Sequence, residues 1–484
     1  MGAVHDRVEG VLLGTAAGDA LGAPYEFKPP VDPRDSVEMK RSAIWKAGEW
    51  TDDTAMAIAI AEVAARGADL RDEDAQDEIV RRWHHWAQSS PDVGIQTRAV
   101  LSRAGRGGTI TAARARAESE ALHRETGRSA GNGSLMRTAP VALAYLDDEQ
   151  AMVEAALSLS ALTHYDPQAG EACVLWCSAI RHAVLTGDID VRVGLGHLAP
   201  ERRSVWEDHL AHAEARTPAD FENNGFVVAA LQGAWSAIHN TAESADDAAR
   251  GTFRADRLRL GLEAAVRGGW DADTVAAIAG GLLGGAYGAS AVPLQWRALL
   301  NGWPQATGRT LVELASAIAR HGAPDDFDYS YAGSSVSTAV RHPYDPQVVL
   351  GGVGVLGTLP EDVDAVVSMC RLGDGDIRTD MPHIEVRLID RSEPEENPHL
   401  DFVLLQAVQA VERLRAQGRT VLLHCVGAHS RTPTVAALYG LRRNGVGAEQ
   451  ALHDVLEVLP GADPNPAFRA ALRRAEQSPA GASL

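Results

Sequence analysis

From Val8 to about Gly322, apolar residues recur at the three- and four-residue spacing of a helix face, in long Ala, Leu and Val runs broken by Gly, Pro and Asp-rich turns. Almost no stretch alternates apolar with polar residues, so residues 1–322 are expected to form one large all-α domain. Two of the runs, Ala55 to Ala65 and Val275 to Gly285, are apolar or small but for Glu62, which predicts buried helices. Periodicity stops over residues 323–344, where Ala323-Pro324-Asp325-Asp326 and Ser330-Tyr331-Ala332-Gly333-Ser334-Ser335 read as a linker. Beyond it, short β-type runs (Val348 to Leu350, Asp364 to Met369, Ile384 to Ile389, Thr420 to Leu423) alternate with helical ones (Leu400 to Gln417, Pro433 to Arg443, Ala448 to Leu459). Residues 345–484 are therefore expected to make a smaller α/β domain, and the chain reads as multidomain.

Composition narrows the function classes. A net charge of −20 over 484 residues argues against binding nucleic acid or an anionic membrane nonspecifically, since both need a basic surface. No run is apolar for a membrane-spanning length, and Met1-Gly2-Ala3-Val4-His5-Asp6-Arg7 leads into an amphipathic segment rather than a signal sequence, so a cytoplasmic protein is expected. Of four cysteines, Cys173, Cys177 and Cys370 sit in apolar runs and read as core residues. Only Cys425 stands apart.

The two buried helices share an unusual entrance. Thr51-Asp52-Asp53-Thr54 precedes the first and Asp271-Ala272-Asp273-Thr274 the second. Thr and Asp at a helix start are ordinarily caps, but a cap needs one carboxylate and each stretch supplies two. Hard oxygen donors of this kind suit Mg²⁺ or Mn²⁺, and four converging acids without a cation would repel one another or take up protons. Thr51, Asp52, Asp53, Asp271, Asp273 and Thr274 are the candidate metal ligands. Upstream, Gly10, Gly14 and Gly18 stand at helical spacing and read as close helix packing, whereas Glu26, past Pro24 in a turn, is free to project into a cleft.

With these stretches the chain resembles, over about Val8 to Gly322, the ADP-ribosylglycohydrolase family, which includes the dinitrogenase reductase-activating glycohydrolase. Asp92-Val93-Gly94 is similar to the family's Asp-Ile-Gly, Gly131-Asn132-Gly133-Ser134-Leu135-Met136-Arg137 to its Gly-rich ligand loop, and Thr163-His164-Tyr165-Asp166 to its Thr-His-Pro-Asp, all in the family's order. The resemblance implies a substrate that is an ADP-ribosylated protein or small ADP-ribose conjugate, and two Mg²⁺ or Mn²⁺ ions. It implies that Glu26 acts at the metals, that backbone N–H groups of Gly131, Asn132, Gly133 and Ser134 cradle the diphosphate, and that His164 lies nearby. Asp92 would favour arginine-linked ADP-ribose, because a carboxylate pairs with a guanidinium leaving group and not with a serine hydroxyl. Tyr287 is open between stacking on adenine and simple packing.

In the smaller domain, Thr420 to Leu423 leads through His424-Cys425-Val426-Gly427-Ala428-His429-Ser430-Arg431-Thr432 to a helix expected to open at Pro433. At such a strand–loop–helix junction the loop N–H groups favour a thiolate, and an arginine six residues after the cysteine can grip two phosphoryl oxygens. The stretch resembles the His-Cys-x5-Arg signature of the tyrosine and dual-specificity phosphatases, over about Asp345 to Arg474. That likeness implies Cys425 as nucleophile and a phosphate-binding loop of Val426, Gly427, Ala428, His429, Ser430 and Arg431. It further implies Thr432 as hydrogen-bond donor to the departing thiolate, Asp390 as general acid, and no cofactor. Ala428 stands where the dual-specificity pattern has Gly. Glu393, Glu395, Glu396 and Asp401 crowd Asp390, and the acidic run also reads as a solvated loop.

A fused pair of hydrolases is the reading these residues favour. Two others stay open: an ADP-ribose-binding module with one decayed catalytic set, and a phosphatase acting on RNA, a nucleotide or a phosphorylated ADP-ribose.

Overall fold

The computed structural model describes residues 2–248, 250–325, 329–331, 334 and 337–476. The larger part of the chain is helical and is built around α1 (Gly2–Gly22) and α3 (Ala272–Tyr287), which are buried over most of their surfaces. The small residues explain how two such helices pack. A methyl group added to Gly10, Gly14 or Gly18 would overlap the backbone of Gly284, Gly280 or Ala276, so the two backbones touch and no side chain separates them. α2 (Asp52–Ala64) ends against the same pair, and α4 (Gly308–Ala319) closes this half. Both predicted buried helices are present; α2 starts three residues earlier than Ala55 and stops at Ala64, and α3 is extended at each end. A two-strand hairpin, Asn301–Gly302 with Ala306–Thr307, is the departure from an all-α reading. Thr51 and Asp271 stand at the N-cap positions of α2 and α3, yet neither side chain makes a capping hydrogen bond. Their oxygens face elsewhere.

The C-terminal part is a five-stranded sheet with helices. In spatial order its strands are β1 (Ala339–His342), β2 (Asp345–Gly352), β5 (Val421–Cys425), β3 (Ala365–Ser368) and β4 (His383–Glu385). β1 and β2 are antiparallel and the other pairs parallel, with β5 central and wholly buried. A fully apolar Val421-Leu422-Leu423 suits that place. α5 (Leu400–Ala416), α6 (Arg431–Asn444), α7 (Ala448–Val458) and α8 (Pro466–Glu476) pack around it. β1 lies within the stretch expected to be linker, and α8 has no counterpart among the predicted helices. Residues 326–328, 332–333 and 335–336 of that expected linker lie outside the described residues. Among the described residues, no helix is long and apolar enough to cross a membrane.

The two parts meet over a broad surface. Phe253 packs edge-on against Phe402 at 5.6 Å, the Leu294 N–H donates to Gln406 Oε1 at 3.0 Å, and His399 Nε2 lies 2.8 Å from the Tyr287 carbonyl oxygen. Arg387 reaches back to Asp6 and Glu9 of α1 at 3.1 and 3.3 Å, and Arg309 of α4 pairs with Glu385 of β4 at 2.8 Å. One apolar core runs through both.

Candidate active sites

The first site forms where the N-terminus of α2, the N-terminus of α3 and the C-terminal half of α1 converge. Asp19, on α1, accepts the Thr51 N–H and hydroxyl at 2.9 Å each through Oδ1, and the Thr54 N–H and hydroxyl at 2.9 and 2.6 Å through Oδ2. It thereby pins the start of α2 to α1. Thr51 Oγ1 also lies 3.0 Å from Asp53 Oδ2 and 3.5 Å from Asp273 Oδ2. On the other flank, Asn132 Nδ2 donates to Asp271 Oδ2 at 2.7 Å, and the Asp271 N–H donates to Asn224 Oδ1 at 3.0 Å. The Gly94 N–H reaches Asp52 Oδ2 at 3.4 Å, tying the Asp92-Val93-Gly94 stretch to the cluster. Glu26 is brought in by a two-bond bridge in which the Phe27 N–H donates to the Trp270 carbonyl and the Trp270 N–H to the Lys28 carbonyl, both at 2.6 Å. Phe27 and Trp270 both take positive φ, +56° and +60°, a left-handed conformation that side-chain-bearing residues adopt at a cost.

The carboxylates are close enough to share cations. Asp19, Asp53 and Asp273 form one triad, and Glu26, Asp271 and Asp273 a second; within each, one ligand oxygen per residue lies within 4.8 Å of the others. Asp273 belongs to both. Burial, and then the charges of neighbouring acids, push Asp52, Asp53 and Asp273 well above the usual carboxylate range. Burial followed by the charges of Asp92, Asp271, Asp52 and Asp19 lifts Glu26 to about 9, and burial lifts Asp19 to about 6 despite its four hydrogen bonds. Asp92 and Asp271 are raised too, with burial the chief cause in both. Asp53 Oδ1 is buried with no hydrogen-bond partner. A dry cluster of hard oxygens, destabilised when ionised and holding an orphaned acceptor, fits divalent cations. Thr274 stands beside the set, its N–H donating to Asp273 Oδ1 at 3.0 Å.

The Gly-rich loop lies beside this cluster. A Cβ on Gly131 or Gly133 would come within 3.2 or 3.0 Å of the His164 ring, so glycine lets the loop lie on that imidazole. Burial and the Arg137 charge hold His164 well below its usual range, and Nδ1 lies 2.8 Å from Thr163 Oγ1. Arg137 in turn donates to Thr163 Oγ1 at 2.7 Å and stacks over Trp83.

The second site lies at the end of β5. Register places Cys425 opposite Gly352 of β2, and Cys425 is buried at the start of the loop. His424 is buried beneath it and lies 2.5 Å from Ser368 Oγ, which also lies 2.7 Å from His383. Arg431 Nη1 donates to the carbonyls of Met369 and Leu388 at 2.9 and 3.1 Å, which fixes the guanidinium under the loop. Asn465 links the expected acid to the loop: its side-chain amide donates to Asp390 Oδ1 at 3.1 Å and its N–H to Ser430 Oγ at 3.2 Å. Asp390 and Arg431 line one cavity of about 440 Å³.

With this geometry the comparisons agree in part. The sequence pattern of the ADP-ribosylglycohydrolase family matches residues 1–326. The chain belongs to that family. It is 30% identical over 310 residues to the ADP-ribosyl-(dinitrogen reductase) glycohydrolase of Rhodospirillum rubrum, covering 62% of this chain and 91% of that protein. It is 29% identical to the ADP-ribosylarginine hydrolase Tri1 of Pseudomonas putida over 60% of this chain and 73% of the relative. A shorter likeness, 31% identity over 93 residues, joins 19% of this chain to 45% of the dual specificity protein phosphatase 1 of Arabidopsis thaliana.

Within the glycohydrolase half, two expectations need correction. Tyr287 lies fourteen residues beyond Asp273 on α3, about 21 Å along the axis at 1.5 Å per residue. There it stacks on His399 at 6.4 Å and its hydroxyl accepts from Arg257, so it packs against the C-terminal half and not beside the acids. The Asn132 N–H donates to the Gly225 carbonyl at 3.1 Å and is not available to a diphosphate; the Ser134 hydroxyl is turned inward to Ser160. At the cysteine loop, the expected helix start needs correction. α6 begins at Arg431, two residues before Pro433. The Thr432 hydroxyl is buried and lies 3.4 Å from the Gly351 carbonyl, at the long limit of a hydrogen bond. Ala428 sits at φ +52°, the left-handed region that glycine enters freely and alanine does not.

Several contributors had no sequence assignment. Asp19 is the lone acid in the apolar second half of α1, and its burial was the missing clue. Asn224 and Asn465 are loop asparagines whose neighbours say nothing of their role. Phe27 and Ile95, 78% and 92% exposed, are the chain neighbours of Glu26 and of Gly94.

Proposed function

We propose that this chain is a two-site hydrolase, in which the helical half removes ADP-ribose from a conjugate with the help of divalent cations and the C-terminal half hydrolyses a phosphate monoester through Cys425. The observation that carries the first part is the pair of carboxylate triads sharing Asp273. Thr51, Asp52, Asp53, Asp271, Asp273 and Thr274 would hold two Mg²⁺ or Mn²⁺ ions, which when bound would polarise ribose hydroxyls and a water. Glu26, lifted to about 9 while the cluster is metal-free, is placed to hold or pass a proton beside the scissile bond. The Gly131 to Ser134 loop orients the ADP part, with the N–H of Asn132 excepted. Asp92, at the edge of the cluster, pairs with a guanidinium leaving group, and relatives that bear the name ADP-ribosylarginine hydrolase support an arginine linkage.

For the second part, Arg431 and the loop N–H groups orient a phosphate. The Cys425 thiolate attacks phosphorus while the ester oxygen leaves with a proton from Asp390. Water then displaces the thiolate from phosphorus, returns a proton to Asp390 and releases inorganic phosphate. The test is a double dissociation on the full chain, with ADP-ribosyl-arginine and an aryl phosphate as substrates. A chelator is expected to stop ADP-ribose release and spare phosphate release, and Cys425→Ser to do the reverse. A chelator that leaves ADP-ribose release intact overturns the first assignment; phosphate release by Cys425→Ser overturns the second.

A further inference from the structure

The cavity over the cysteine loop is not built by the C-terminal half alone. Val426, Asp390 and Arg431 line it from the C-terminal half, and Glu9 of α1, Arg297, and Val312 of α4 line it from the helical half. Tyr331, from the connecting segment, lines it as well, its N–H held by Asp376 at 2.7 Å. A loop that dephosphorylates protein side chains must lie in a cleft a polypeptide can approach. Here the opposite side is another folded part of the same chain, and the cleft of about 440 Å³ falls in the range of small-molecule pockets.

The charges agree with an anionic occupant. Six arginines face four carboxylates in the lining, a local excess of positive charge in a chain of net charge −20. Three of those arginines carry buried N–H groups without a hydrogen-bond partner among the described residues: Nε of Arg431, Nη1 of Arg387, and Nε of Arg309, which still has an ion-pair partner in Glu313 at 2.9 Å. A buried donor left unpaired is unfavourable and points to a missing acceptor. Arg387 is itself held from the helical half: Nε pairs with Asp6 and Glu9, and Nη2 donates to the Gly2 carbonyl at 3.2 Å. α1 therefore positions a guanidinium in the cavity of the other domain.

Resting on the reading of Cys425 as nucleophile, we propose that the cysteine site is a composite pocket whose substrate is a small-molecule phosphomonoester, with Arg431 on the phosphate, Arg387 on a second oxygen acceptor of the same molecule, and Val312 and Tyr331 against its organic part. Phosphorylated protein segments are excluded by the wall that the helical half provides. The experiment uses the full chain and compares kcat/KM for a nucleoside 5′-monophosphate and a sugar phosphate with that for phosphotyrosyl and phosphoseryl decapeptides. At least one small ester is expected to exceed both peptides tenfold or more. Val312→Trp, which fills the cavity from the helical side, is expected to raise KM for that ester tenfold or more. His5→Trp, at the half-exposed rim of the same wall, is the second variant should the first fail to unfold cooperatively. Peptides turned over as well as the small esters, or unchanged KM in the folded wall variants, would overturn the composite pocket while loss of activity in Cys425→Ser left the nucleophile standing. Phosphate release that survives Cys425→Ser, or none from any substrate, would overturn the cysteine reading itself.

Discussion

Replacing Arg387 with leucine tests how firmly the two halves are joined. Its guanidinium lies 3.1 Å from Asp6 and 3.3 Å from Glu9, with its side chain 12% exposed, Asp6 wholly buried and Glu9 nearly so. Burial by itself pushes the Glu9 carboxyl up; the His5 hydrogen bond and the charges of Arg387, His5 and Arg297 outweigh it and bring Glu9 down to about 2. A carboxyl held at about 2 instead of 4.5 is worth about 3 kcal/mol at neutral pH. Arg387 supplies only part of that, but its loss strands Asp6 as well, and breaking a buried pair from one side typically costs about 3–5 kcal/mol. Arg387→Leu should therefore destabilise the protein by about 3 kcal/mol at pH 7 in urea unfolding. The pH dependence has a definite sign. Because the folded value of Glu9 is depressed, its contribution is complete above about 4.5 and lost as pH falls towards 2, so the gap between wild type and variant should narrow across that window. Adding Glu9→Gln should make the double variant less destabilised than the sum of the single changes. A difference below about 1 kcal/mol at pH 7, or one that stays the same at pH 3, would refute the argument that this buried network joins the halves.

The acid cluster makes the opposite pH prediction. In metal-free protein Glu26 is raised from 4.5 to about 9, so stability should decline as pH climbs through that interval, and Mg²⁺ or Mn²⁺ should abolish the decline; a flat metal-free profile in thermal unfolding would count against the cluster. Asp53→Asn should weaken divalent-metal binding by at least about tenfold in calorimetry and raise the unfolding midpoint of the metal-free protein, since it removes a buried charge whose Oδ1 has no partner. Unchanged metal affinity would remove Asp53 from the ligand set. Ala428→Gly should stabilise the fold by about 1 kcal/mol, because φ +52° is costly for alanine and free for glycine; a loss of stability would mean that the alanine methyl packs more favourably than this conformation costs.

The relation between the two halves bears on every such experiment. A polar stretch at residues 323–344 suggests independent units, whereas the described structure carries one apolar core through both and sets a buried ion network between them. Substitutions at α1 or α4 are therefore expected to be felt at the cysteine loop, although the chemistry of each site uses its own residues.

Local sequence was enough for the elements and for the kinds of donor they carry. Helical periodicity marked the large domain, apolar β runs marked four of the five strands of the second, and doubled acids beside threonines at two helix starts marked the acid cluster, because secondary structure and ligand chemistry are short-range properties. The Cys425 to Arg431 spacing lay within one strand–loop–helix unit and was equally legible. What local sequence could not decide was distance and burial across the chain. Asp19 became the residue that pins α2 only when α1 packed against it, and Asn465 became the tether of Asp390 only when the chain folded back after α7. Tyr287, open by sequence between stacking on a ligand and packing, was decided when α3 carried it to the far end of the helix. The cavity walled by Glu9, Val312 and Arg387 joins residues hundreds of positions apart, so no window of sequence contains it. Those placements are set by backbone contact between α1 and α3 and by the desolvation that follows from it, and both exist only once the whole chain has packed.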